Sequence, residues 1–174
     1  MPSMTRQTAN LILYRQRAGL EVFLVTRSIE LNFLGGYLAF AGGKVEPGDE
    51  SIPLADGLDT ETPELLGCAV RELFEETGIL VGRDSRGRAP ATAAEDEQVD
   101  AIRDDLMEDR ISFAQVLERL GCRIDGASIE YLAHWITPVP RPRRFDTRFF
   151  AAKVREGATP IVDPREMTDA VWIT

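Results

Sequence analysis

Apolar residues come first in short runs along this chain, and only later at helical spacing. Ala9–Tyr14 (Ala-Asn-Leu-Ile-Leu-Tyr) and Glu21–Thr26 (Glu-Val-Phe-Leu-Val-Thr) are apolar and partly β-branched, which predicts two strands, and Arg15–Gly19 between them suits a hairpin loop. Gly35-Gly36 then breaks the chain before a short strand, Tyr37–Phe40. That strand leads into Gly42-Gly43, where glycine lets the backbone turn tightly and approach a ligand. The period changes at Thr62-Pro63-Glu64, which offers a capping hydroxyl, a first-turn proline and an acid; Gly78 is the matching stop. Between them Leu66, Ala69, Val70, Leu73 and Phe74 fall on one helical stripe. Gly82–Glu97 is polar and expected to be a loop. Glu97–Asp109 and Ser112–Leu120 predict two more helices. Ile111, Phe113, Val116, Leu117 and Leu120 form the apolar side of the second, and Gly121 closes it. These helices are expected to form a small lobe, about 97–121, inserted between core strands, which resume at Ile129–Ile136, Thr147–Val154 and Ala170–Ile173.

The acids on the first helix add chemistry to this layout. Glu72, Glu75 and Glu76 are spaced i, i+3 and i+4, which puts three carboxylates side by side on one helical face. Their mutual repulsion calls for a positive partner. A hard divalent cation is the natural one, since magnesium uses a few carboxylates together with substrate phosphates. Composition is that expected of an ordinary soluble globular protein. A chain of 174 residues, 44% hydrophobic and 28% charged, suits one well-buried domain. No apolar run approaches membrane-spanning length and no secretory layout opens the chain, so cytoplasm is the expected compartment. Cys68 and Cys122 are the only cysteines, and no disulfide framework is expected. A net charge of −9 argues against general nucleic-acid binding, whereas an anionic small molecule is compatible if a metal supplies local positive charge.

Gly43 through Asp49, followed by Arg71-Glu72-Leu73-Phe74-Glu75-Glu76-Thr77-Gly78-Ile79, resembles the Nudix box, G-x5-E-x7-R-E-U-x-E-E-x-G-U. Asp49 stands where the box has glutamate, a role Glu50 could also take. The halves are parted by residues 50–70, an insertion relative to the box. The resemblance implies one domain over 1–174, an α/β/α sandwich around a mixed β-sheet. It also implies a helix after the strand ending at Ile173, which this chain is expected to lack. Mg²⁺ or Mn²⁺ is implied as cofactor, with Glu72, Glu75 and Glu76 as ligands and the Gly43 carbonyl touching the metal. Glu72 is also implied to orient or deprotonate the nucleophile, and Arg71 to position a box glutamate. Glu166, six residues before Trp172, resembles an outer metal-binding glutamate of the family; a solvated loop acid is the plainer reading, and Asp163 and Asp169 are weaker rivals.

The segment from Arg27 to Gly43 is similar to the one preceding the box in coenzyme A diphosphatases: Arg27, Ser28, Gly36, Phe40, Gly42 and Gly43 match, while Asn32 and Ala41 depart. The long box insertion and the Arg-Phe-Asp-Thr-Arg-Phe-Phe segment resemble the mammalian peroxisomal branch. Coenzyme A or an acyl-coenzyme A is therefore the implied substrate, giving 3′,5′-ADP and a phosphopantetheine. An ADP-ribose, dinucleotide or nucleotide-sugar hydrolase, or a silent nucleotide-binding module, are the alternatives. Arg27 and Gly42 are candidates for the substrate side, as are Arg144 and Arg148 from a basic cluster that includes Arg141 and Arg143; solvated arginines are the plainer reading for much of that cluster. His134, beside Trp135 in an apolar strand, is expected to be packed, and Cys68 to be a plain helix residue. A second copy of the chain, as a homodimer, is left open.

Overall fold

A computed structural model describes residues 5–30, 35–54, 63–141 and 143–174. Strand β1 (Arg6–Gln16) is the axis of the sheet. Its C-terminal end turns through Arg17–Gly19 into antiparallel β2 (Leu20–Arg27), with Tyr14 opposite Val22. Its N-terminal half pairs instead with β4 (Ala41–Lys44), Ala9 standing opposite Gly43. The two-residue β3 (Leu38–Ala39) continues that line along the upper part of β2. So Gly42-Gly43 is paired strand rather than free loop, because the two hairpin strands splay and 38–44 fills the gap between them.

Helix α1 (Pro63–Thr77) lies on this sheet and buries Leu65, Leu66, Ala69, Val70, Leu73 and Phe74 against Ala9, Leu11, Leu13 and Val25. Its predicted capping residue, Thr62, falls outside the described residues. Because the helix starts at Pro63, the tail of the box insertion lengthens the helix itself. The insertion's described beginning is also structural: Ile52 is buried, the Pro53 carbonyl accepts from the Ile124 amide, and Leu54 bridges to Ile124.

The expected loop at 82–97 contains a strand. β5 (Gly82–Asp84) pairs with β6 (Cys122–Ile124), and Asp84 closes the turn that follows β5 by accepting the Arg86 and Arg88 amides. Three mostly polar residues carry no periodicity, so only the pairing reveals them. Helices α2 (Glu97–Met107) and α3 (Phe113–Leu120) form the expected lobe. Ser112 and Gln115 cap α3 reciprocally, and Phe113 meets Phe74 of α1 at 6.2 Å between ring centroids.

The chain then returns to the sheet. β7 (Ile129–Ile136) pairs with β8 (Phe145–Lys153), β8 runs parallel to β1, and β9 (Met167–Ile173) pairs with β2. Among the described residues the result is a mixed seven-stranded sheet. β7 forms one edge, and from Glu130 to Ile136 every residue is exposed, Trp135 at 63%. His134 is therefore not packed as expected; its Nε2 lies 2.6 Å from Asp146 Oδ1 on the surface. Among the described residues no helix is long and apolar enough to cross a membrane.

Candidate active site

The box folds around one buried arginine. Asp49, 3% exposed in a short 3-10 turn, accepts from Arg71 Nε at 2.9 Å and from Nη2 at 3.1 Å. Nη2 also donates to the Lys44 carbonyl. Nη1 lies 3.1 Å from Glu72 Oε1 and 3.2 Å from Glu75 Oε2. The bidentate grip belongs to Asp49, so the shorter acid fills the box position, while Glu50 is exposed and caps Gly48. Burial alone would weaken the guanidinium's hold on its proton; the Asp49 hydrogen bonds and the charges of Glu72 and Glu75 outweigh it.

The two glycines of β4 are there for closeness. A Cβ on Gly43 would stand 2.2 Å from Glu72 Oε1, and one on Gly42 would stand 2.4 Å from the Ala9 carbonyl. The Gly42 amide donates to Glu76 Oε2 at 3.1 Å. The Cys68 thiol is fully buried and reaches the Gly43 carbonyl at 3.7 Å, and burial pushes its pKa up.

A cleft of about 380 Å³ opens beside these groups; one wall is the box and α1, with Glu46, Arg71, Glu72, Glu75 and Glu76, and the other is the end of α2 and the segment before β9, with Leu106, Met107, Asp109, Asp163, Arg165 and Glu166. Burial raises the pKa of Glu72 to about 8, with Glu75 and Glu166 adding to the rise and Arg71 opposing it. Burial, then repulsion from Glu72, drives Glu76 well up, against the Gly42 amide and Arg27. Glu75 is raised as well, chiefly by burial. Arg71 engages Glu72 and Glu75, and among the described residues no three acids already stand as a ligand cluster. The donor chemistry nevertheless fits a hard divalent cation: every donor is a carboxylate oxygen, and three of them are held in an environment that penalises their charge unless a cation arrives.

The structure thus brings Glu72, Glu75, Glu76, Arg71, Gly43 and Gly42 together, and Glu166 lines the same cleft, near enough to raise Glu72 and Glu76. Arg27, at the end of β2, is close enough to lower the Glu76 pKa, and its Nε is buried without a partner among the described residues. Arg144 and Arg148 do not line the cleft. Arg144 donates to the Thr137 carbonyl, and Arg148 is paired with Asp146 at 2.6 Å; clustering in sequence became separate local pairings. Sequence reasoning missed Leu106, Met107, Asp109 and Arg165 as cleft residues, and missed Arg103. That arginine of α2 is buried and donates through Nε and Nη2 to the Glu75 carbonyl at 2.9 and 2.7 Å. Val99, Arg103 and Leu106 share the buried side of α2, and a charge on an apolar stripe is the signal that could have found it.

Comparison with known proteins places these features. The NUDT19 Nudix domain matches residues 63–174 and the general NUDIX domain matches residues 4–106. The acyl-coenzyme A diphosphatase NUDT19 of Xenopus laevis is 25% identical over 199 residues, covering 88% of this chain and 52% of that protein. The Homo sapiens protein of that name is 27% identical, covering 88% of this chain and 53% of its own. This chain therefore spans about half the length of the curated relatives it matches. A crystal structure of a NUDIX hydrolase from Alicyclobacillus acidocaldarius superposes with a TM-score of 0.83 at 28% identity, over 98% of this chain and 79% of that one.

Proposed function

This chain belongs to the Nudix hydrolase family, and from that premise we propose that it is a diphosphatase using Mg²⁺ or Mn²⁺ to cleave a nucleoside diphosphate linked to a further group. Coenzyme A or an acyl-coenzyme A is the substrate this reading favours, because the NUDT19 domain matches and the relatives that carry that name are acyl-coenzyme A diphosphatases. The observation that carries the reaction is the cleft itself: Glu72, Glu75 and Glu76 on one wall, Glu166 on the other, all with raised or exposed oxygen donors and Arg71 behind them.

Glu72, Glu75 and Glu76 would hold the cation, with Glu166 as a further ligand. When bound, it would neutralise the diphosphate and acidify a coordinated water. Arg71 fixes the Glu72 and Glu75 carboxylates through Nη1, and Gly42 fixes that of Glu76 through its amide. In hydrolysis a water oxygen bonds to one phosphorus, the bridging P–O bond breaks, and the proton lost by water goes to a cleft carboxylate. Glu166 is exposed, so it can pass that proton to solvent.

Mass spectrometry of products from coenzyme A, an acyl-coenzyme A, ADP-ribose, NADH and a diadenosine polyphosphate, with Mg²⁺ or Mn²⁺, tests this. Release of 3′,5′-ADP from the coenzyme A substrates alone is the expected result. AMP from ADP-ribose or NADH would keep the hydrolytic reading and remove coenzyme A. Turnover that survives EDTA would remove the metal.

A further inference from the structure

Two arginines line the cleft, and the box consumes only one of them. Arg71 is buried and divided among Asp49, Glu72 and Glu75. Arg165 is half exposed and lines the cleft from the segment before β9. Its Nε donates to Asp163 Oδ1 at 3.0 Å and its Nη2 to the Met107 sulfur at 3.1 Å. The first contact is a firm anchor: the Asp163 side chain is buried, and its backbone amide is bonded to the Glu76 carbonyl at 3.1 Å. The second is a weak one, since a thioether is a poor acceptor that a phosphate oxygen readily displaces. Nε and Nη2 share one edge of the guanidinium, so Asp163 and Met107 divide that edge, and loss of the Met107 contact frees Nη2 for a phosphate. An arginine fork of this kind matches phosphate geometry. Met107 and Leu106, at the end of α2, form an apolar shelf next to it.

We infer that Arg165 is the side chain that receives a substrate phosphate, exchanging the Met107 sulfur for a phosphate oxygen, and that the Leu106–Met107 shelf meets the group beyond that phosphate. This rests on the diphosphatase reading above and adds to it a specificity-determining residue. A cation held by the glutamates would neutralise part of the substrate's charge, and Arg71 is taken up by its acids, so Arg165 is the cleft arginine left to meet a further phosphate oxygen.

The test has two arms, run on Arg165→Ala and Arg165→Lys. In steady-state kinetics with the panel substrate turned over fastest, Arg165→Ala is expected to raise KM about 10- to 100-fold with kcat within about threefold, and Arg165→Lys to recover part of the loss. An unchanged KM, or a loss confined to kcat, overturns the inference. In the second arm, calorimetric titration with ADP and Mg²⁺ needs no turnover. Weaker ADP binding in Arg165→Ala supports the inference; equal binding, or a wild-type chain that takes up no ADP, overturns it. Absence of turnover across the panel with ADP binding still dependent on Arg165 would sink the diphosphatase reading and leave this assignment standing.

Discussion

On the α1 wall of the cleft, charge is compressed: Asp49 and Arg71 are buried together, and Glu72, Glu75 and Glu76 crowd against them with raised pKa values. On the facing wall, charge is looser and the backbone does the positioning. A helix leaves its last carbonyls without partners, and here each of three is taken by an element of the facing wall. Arg103 of α2 bonds the Glu75 carbonyl, the Asp163 amide bonds that of Glu76, and the Ile161 amide bonds that of Thr77. The cation of Arg103 also suits the negative end of the helix. The far wall is thus registered to the glutamates through their own main chain. Substitutions on the near wall should strike chemistry and local charge balance, and those of Arg103 and Arg165 on the far wall should strike substrate affinity.

Glu76→Gln should show the first half of that contrast most sharply. Turnover is expected to fall at least ~10³-fold, the scale of losing a metal ligand's charge stabilisation. Thermal stability should not fall, because a buried carboxylate that resists ionisation is replaced by a neutral isostere. Retained activity would remove Glu76 as a ligand. Arg71→Ala should strike the fold instead. It strands Asp49, and breaking a buried pair from one side costs about 3–5 kcal/mol, readable in urea unfolding. A loss near zero would mean that the box arginine serves catalysis alone. Arg103→Met sharpens the far-wall half. Leaving the Glu75 carbonyl unsatisfied should cost about 1–3 kcal/mol. KM should rise more than kcat falls; the reverse would mean that α2 only buttresses the catalytic helix.

The near wall was legible because its information is local. Glu72, Glu75 and Glu76 declare one face by spacing, and Pro63 and Gly78 bound the helix. Glu166 was reachable through its distance from Trp172. The far wall was not, because Met107, Arg165 and Arg103 come from segments whose meeting depends on how α2 and 161–167 dock on α1. Local composition also misled where pairing decides: Gly42-Gly43 reads as a turn until β1 is laid beside it, and the cluster of arginines near 144 reads as a phosphate site until Thr137 and Asp146 claim two of them.

The smallest expected effect is one of pH, and it separates the walls without a mutation. Burial lifts Glu72 from an ordinary 4.5 to about 8 and raises Glu75 and Glu76 in the same direction. Between those values the folded, metal-free chain binds more protons than the unfolded one, so stability falls as pH rises. The contribution is full below about 4.5 and is lost as pH climbs through about 8. Shared screening by Arg71 and by water at the cleft mouth keeps the effect on the order of 1–2 kcal/mol. Thermal unfolding in EDTA should therefore give a lower Tm near pH 8 than near pH 5. Mg²⁺ should raise Tm more at the alkaline end, where the carboxylates are ready to ligate it. Glu76→Gln should flatten the slope, and Arg165→Ala, on the other wall, should leave most of it. A Tm in EDTA that rises over this range would mean that the glutamates of α1 are not held against their charge.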